Sequence, residues 1–191
     1  MSTKDTRQRI VEAVVSLHQE VGPVHTTVTG IAERAGVQRL TVYRHFPDER
    51  SLIEACSAHW SVLHPAPDPA RWMGIADPEA RSRRALEELF AYYRDGAPML
   101  EKIFRDVDQV TALQEVMVPF RAYLAEVAGV LATGWEGPAE TQRFVRAATG
   151  HAVRFETWRS LTGEGVSDEA AAVMLSGWFR CIARGEGRAV E

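Results

Sequence analysis

Cysteine, uninterrupted apolar runs, strand-like alternation and an excess of either charge are all scarce in this sequence of 191 residues. Its two cysteines, Cys56 and Cys181, lie far apart, each within an apolar helical pattern. That points to buried reduced thiols rather than a disulfide framework. No apolar run approaches the length of a membrane span, and the opening MSTKDTRQRI has no apolar core of a secretory signal. A cytoplasmic protein with no membrane partner is expected. The formal net charge is -4, and residues 1–60 balance seven Lys/Arg against seven Asp/Glu, so bulk charge carries no pointer to nucleic acid. The signatures of common enzyme chemistry are missing as well: no HExxH, no glycine-rich phosphate loop, no G-x-S-x-G and no Cys–His nucleophile pair. Cys56 and His59 stand one helical turn apart, but no second ligand pair follows at a spacing that would hold a metal. Neither an enzyme, a cofactor nor a metal is expected.

What recurs instead is helical periodicity. Ile10, Ala13, Val14, Leu17 and Val21 share one face of a first helix that Gly22-Pro23 stops. Thr26-Thr27 precede a short helix carrying Ile31 and Ala35; Gly36 breaks it, and another short helix runs from about Gln38 to His45. Pro47-Asp48 opens a fourth with the apolar line Leu52, Ile53, Cys56, Trp60 and Leu63. The stretch Pro65-Ala66-Pro67-Asp68-Pro69 reads as a linker. Asp77-Pro78-Glu79 then supplies an N-cap, a first-position proline and a first-turn acid. That helix carries Leu86, Leu89, Phe90 and Tyr93 to Gly96, and a shorter one covers Pro98 to Val107. The spacing predicts a longer helix from Leu113 to Leu131, kinked at Pro119, and two final helices over Ala139–Leu161 and Ser167–Arg184. The expected class is all-α with about nine helices. Residues 1–47 form a three-helix helix-turn-helix domain and residues 48–191 a second helical domain.

The segment Thr26–Phe46, TTVTGIAERAGVQRLTVYRHF, has the parts a DNA-reading helix-turn-helix requires. Ala32 and Ala35 allow close helix approach, and Gly36 supplies a positive φ in the turn. Val37 and Val42 are the expected buried contacts, which leaves Gln38, Arg39, Thr41 and Arg44 facing outward. Arg39, Arg44 and His45 stand in a stretch with no acid from Val37 to Pro47. Such a stretch can neutralise phosphates even on an acidic protein, because distant exposed charges are screened.

The string T-V-x-x-I-A-x-x-A-G-V-x-x-x-T-V-Y-R-H-F-P-D resembles the signature of the tetracycline-repressor-like (TetR) family over its whole length, and it follows one N-terminal helix as it does there. The resemblance implies a sequence-specific regulator of transcription that binds double-stranded DNA. It gives Thr27 the cap of the second helix and a phosphate contact, and places Gln38, Arg39 and Thr41 nearest the bases. Tyr43 and His45 match positions that bond the DNA backbone, with Arg44 beside them. Arg forks onto guanine and Gln pairs with adenine. Leu40 stands where many relatives carry a small residue; it either meets thymine methyls or turns inward. Glu49 replaces a frequent lysine, and Arg50 follows as the substitute phosphate contact.

The resemblance further implies a small-molecule effector in the second domain and release from DNA when it binds. The candidate lining residues are Trp60, Tyr92, Tyr93, Phe104, Met117, Phe120, Tyr123, His151 and Phe155, aromatic and sulfur-rich as such pockets are. Tyr92, Tyr93, Tyr123 and His151 are its polar members, although core packing accounts for the same pattern; for His151 a satisfied buried or interface histidine is the plainer reading. Phe144, Ala148 and Ala152, with Met174, Leu175, Trp178 and Ile182, line apolar faces of the last two helices. These faces suit a four-helix interface between two copies. A homodimer is also what a pseudo-palindromic operator demands. The competing function is a helical protein-binding adaptor that has lost DNA binding.

Overall fold

The computed structural model describes residues 3–186. Among them are ten α-helices and no strand: α1 (Thr3–Glu20), α2 (Val28–Ala35), α3 (Arg39–His45), α4 (Glu49–Leu63), α5 (Pro78–Asp106), α6 (Thr111–Val116), α7 (Val118–Ala132), α8 (Ala139–Ala152), α9 (Phe155–Gly163) and α10 (Asp168–Arg184). The all-α class is as expected, the caps expected at Thr27 and Asp77 are made, and Asp48 and Ser167 add two more. Thr27 Oγ1 accepts from Gly30 N at 3.1 Å, Asp48 from Ser51 N at 2.7 Å, Asp77 from Ala80 N at 2.7 Å and Ser167 from Ala170 N at 3.2 Å.

Three boundaries differ from the sequence reading. α5 runs unbroken through Pro98, whose ring is exposed, because Met99, Leu100 and Ile103 behind it are buried. Their burial offsets the backbone hydrogen bond that proline removes. Pro119 does not kink a helix but starts one. α6 ends at Val116, and Val118-Pro119 form the first turn of α7, where a missing N–H costs nothing. The helix expected over Ala139–Leu161 is two, broken at Val153-Arg154 with no glycine or proline at the break. Tertiary donors hold that break open: Tyr93 Oη donates to Val153 O at 2.5 Å, and Thr157 Oγ1 to His151 O at 2.7 Å.

The chain divides into two compact units. The first gathers the residues up to Pro65 with Gly96–Pro119; the second gathers Ala66–Asp95 with the residues from Phe120 onward. In the first, α1 packs on α2 and α4, and α4 on α6, around Ile10, Val14, Ile31, Val42, Phe46 and Ile53. In the second, α8, α9 and α10 pack together, and the core holds Leu86, Leu89, Phe90, Val127, Leu131, Val145 and Phe179.

Two polar clusters sit inside the first unit. Asp106, 1% exposed, accepts from Val24 N at 3.1 Å and from Arg105 Nε at 2.6 Å, while Arg105 also donates to Val21 O at 2.9 Å. Burial pushes the Asp106 carboxyl up, but Arg105 and the Val24 N–H together hold it below the usual range. Gly22 is required beside this cluster: its φ is +91°, and a Cβ there would collide with the Arg105 guanidinium and the Asp106 carboxylate. The second cluster pairs His18 Nδ1 with Cys56 Sγ at 3.5 Å, both side chains being buried. Burial raises the Cys56 thiol to about 12. Burial also lowers His18 from 6.5 to about 4, against an opposing pull from Asp106.

Because the folded His18 value lies below the unfolded one, the unfolded chain takes up the proton first as pH falls. The stability this group confers is full above 6.5 and drains away as the pH falls towards about 4. Urea unfolding near pH 7 and near pH 5 is expected to differ by about 2 kcal/mol from this residue. His18→Gln should shrink the difference by that amount.

Candidate nucleic-acid interface

The turn between α2 and α3 is set by Gly36, which has φ +63° and sends its N–H back to the end of α2. A Cβ there would meet only Arg9 Nη1 at 3.9 Å, so glycine is needed for the dihedral and not for space. Val37 N then donates to Ala32 O at 2.9 Å and closes the turn. Beyond it, α3 is anchored by Val42 and Phe46, 1% and 2% exposed, and the Arg7 guanidinium lies 4.8 Å over the Phe46 ring. Successive residues of a helix are about 100° apart, so fixing Val42 inward fixes the outward set.

That outward set contains most of the predicted readers. Gln38 is the extended N-cap residue of α3, and its side chain makes no capping bond. Arg39, Leu40, Tyr43 and Arg44 are exposed on the helix that follows, and Thr41 and His45 are half-buried. Leu40 is 74% exposed and two positions before the buried Val42; of the two orientations open to it from sequence, it takes the outward one. Thr27 is exposed at the start of α2 while capping it. Gln38, Thr41, Arg44 and His45 also line a polar cleft of about 330 Å³ together with Val37, Thr3 and Thr6. Thr3 and Thr6 escaped sequence reasoning: they precede the motif, and only the packing of α1 brings its first turns to this cleft.

Arg50 does not stand free. Its guanidinium bonds Glu54 Oε1 at 2.8 Å and Glu115 Oε2 on α6 at 2.5 Å. The first partner was legible as an i,i+4 pair; the second, on a helix remote in sequence, was not.

The residues expected to line an effector pocket fall into both units. Trp60, Phe104 and Met117 belong to the first, where Trp60 stacks on His64 with ring centroids 3.6 Å apart. In the second, Tyr92 lies 6.3 Å from Phe120, which lies 6.0 Å from Tyr123, while Tyr93 packs edge-on to Phe155 at 5.4 Å. Two of the expected polar members already have structural partners: Tyr93 bonds Val153 O and Tyr123 Oη donates to Pro67 O at 2.9 Å. Burial raises the Tyr92 hydroxyl pKa. Of the two readings open to His151, buried or interface, its exposure on α8 removes the first; its carbonyl, rather than its ring, enters the core by accepting from Thr157.

α10 is apolar on two faces. Ala171, Leu175 and Phe179 are buried, whereas Val173, Met174 and Trp178 are 54%, 48% and 44% exposed. Phe144, at 43%, joins Trp178, Ala148 and Ile182 around a shallow cleft of about 520 Å³ between α8 and α10. Of the expected interface set, Ala152 and Leu175 are buried within the subunit and back this surface instead of forming it, while the buried Ala148 lies at the floor of the cleft. No group of three or more metal-ligating side chains occurs among the described residues, and no helix there is long and apolar enough to cross a membrane.

A three-helix module with its recognition helix turned outward defines a helix-turn-helix protein. The family described as bacterial regulatory proteins, tetR family, matches residues 10–56. An uncharacterised HTH-type transcriptional regulator of Mycobacterium tuberculosis is 47% identical over 49 residues, covering 26% of each chain. The tetracycline repressor protein class C of Escherichia coli is 33% identical over 96 residues, covering 48% of this chain and 42% of the repressor. The chain thus spans less than half the length of these curated relatives. A solved TetR-like transcriptional regulator from Rhodococcus shares the fold over 94% of both chains, with a TM-score of 0.61 at 18% identity. The family match is confined to residues 10–56, and the likeness to the Rhodococcus structure is one of fold over 94% of the chain. The Mycobacterium relative is named a transcriptional regulator and the Escherichia coli relative a repressor.

The Arg50 geometry generates a measurable expectation. On duplex DNA at low salt, Glu115→Gln should raise affinity about threefold by releasing the guanidinium for phosphate. The gain should vanish in an Arg50→Ala background, and equal gains in both backgrounds would show that Glu115 acts by bulk repulsion alone.

Proposed function

We propose that the protein is a sequence-specific, double-stranded-DNA-binding regulator of transcription that works in the cytoplasm as a homodimer. It represses from a pseudo-palindromic operator and is released by a small-molecule effector. The observation that carries this reading is the outward face of α3, where Gln38, Arg39, Leu40, Tyr43 and Arg44 are exposed opposite the buried Val42. Arg39 and Gln38 read base edges; Thr27, Tyr43, Arg44, His45 and Arg50 take phosphates, and the cleft shared with Thr3 and Thr6 seats the backbone. Residues 1–47, with Arg50 just beyond them, serve DNA, and the remainder of residues 48–191 serves the effector and the dimer.

The exposed apolar strip of Phe144, Met174 and Trp178 supports the dimer, since a contiguous patch of this kind marks an interface. A two-fold dimer carries two recognition helices, which is what an operator of two half-sites requires. The effector reading rests on the aromatic group of Tyr92, Phe120 and Tyr123 in the second unit. An effector acts only if it binds the DNA-competent and DNA-incompetent states with different affinity.

Selection from random duplexes, followed by a salt titration, tests the DNA reading. A palindrome should be enriched, and Arg39→Ala should lose about tenfold or more in affinity and relax preference at one position per half-site. Weak binding without sequence preference at every salt concentration is the result that sinks it. Sedimentation should give a dimer for the native chain and a monomer for Trp178→Arg with unchanged helicity. A monomer in both removes the dimer from the proposal.

A further inference from the structure

Leu40 is the one large apolar side chain in the middle of a surface otherwise made of Gln38, Arg39, Tyr43 and Arg44. It is 74% exposed, and nothing inside the subunit covers it. It cannot turn inward. Val42 sits about 200° away around the helix and is 1% exposed, so bringing Leu40 to the core would expel Val42 and Phe46. The backbone of α3 therefore holds an isobutyl group in water at the position where the helix would meet the floor of a major groove.

Base edges in that groove offer one apolar feature, the 5-methyl of thymine. Hydrogen-bonding groups line the rest, and against them a leucine would bury donors and acceptors without partners, at a cost. We infer that Leu40 is a specificity-determining residue that selects thymine in each half-site, within a base pair or two of the guanine read by Arg39, by burying the thymine methyl against its side chain. The inference rests on the DNA reading proposed above and adds a base to it. Leu40 and Arg44 share one line along the helix, being four residues apart, and Tyr43 is one position further round. Phosphate contacts from Tyr43 and Arg44 would set the depth at which Leu40 enters.

The test uses the full chain and the duplex recovered by selection. Each thymine of one half-site is replaced in turn by deoxyuridine, which removes the methyl and leaves every hydrogen-bonding group in place. One replacement should weaken native binding about fourfold, the factor for one buried methyl group. Leu40→Ala should bind the thymine duplex about tenfold more weakly than the native chain does and bind the thymine and uracil duplexes equally. Its helicity and unfolding midpoint should be unchanged, since the side chain is exposed; Leu40→Met, which keeps an apolar tip, should retain the preference.

Equal native affinity for thymine and uracil duplexes at every position overturns the assignment while the selected palindrome keeps the DNA reading intact. A uracil penalty that persists in Leu40→Ala overturns it too, because another residue then holds the methyl. Failure to enrich any sequence brings down the DNA reading itself, and the role of Leu40 with it.

Discussion

A helix of seven residues does not persist alone in water, because nucleation costs more than its few hydrogen bonds return. Everything outward on α3 therefore depends on the two contacts that hold it, Val42 and Phe46. With these seated and Gly36 in the left-handed region, the orientation of Gln38, Arg39, Leu40, Tyr43 and Arg44 follows without further choice. The functional surface is a consequence of packing beneath it. This explains why so few residues of this segment are apolar, and why its aliphatic ones other than Leu40 and the half-buried Val37 are buried.

The support of this module extends beyond the residues that carry the motif. Asp106 and Arg105 at the end of α5 bond the backbone of Val21 and Val24, and Glu115 on α6 reaches Arg50. Buried Asp106 cannot leave without stranding the Val24 N–H, so the grip is directional as well as apolar. The segment Gly96–Pro119 thus belongs physically to the same compact unit as the N-terminal helices, and any displacement of that segment is felt at the α1–α2 connection and at α4.

How much of this was legible in the sequence depended on whether the information was local. Val21 and Leu63, expected on the inward lines of the first helices, are 39% and 57% exposed, but the rest of those lines, the caps, Gly36 and the Pro65–Pro69 linker are written in neighbouring residues and were legible. The break at Val153-Arg154 was not, because it is held open by hydroxyls of Tyr93 and Thr157 reaching carbonyls that sequence spacing cannot pair. Pro119 was read as a kink because the pattern on both sides is helical; that the preceding turn closes at Met117 decides for a fresh start instead. The contact of Arg50 with Glu115 and the arrival of Thr3 and Thr6 at the α3 cleft failed for the same reason. The expected contribution of Ala152 and Leu175 to a dimer surface failed differently: helical periodicity identifies an apolar face but not which of two apolar faces is already covered.

A formal charge of -4 looks discordant with binding a polyanion, and the resolution is one of distance. At physiological ionic strength an exposed charge is felt over roughly 8 Å, so net charge summed over the whole chain does not set the field at one surface. Three acids of the first unit are already engaged. Asp48 is occupied as the cap of α4, and Glu54 and Glu115 are occupied by Arg50. Arg39 and Arg44 are thereby left as the uncompensated charges of the exposed α3 face, placed where a phosphate and a base edge would meet it. On the proposed reading, charge of this kind sets where and in what register the chain engages a duplex, and the apolar Leu40 between the two arginines bears on which duplex it prefers.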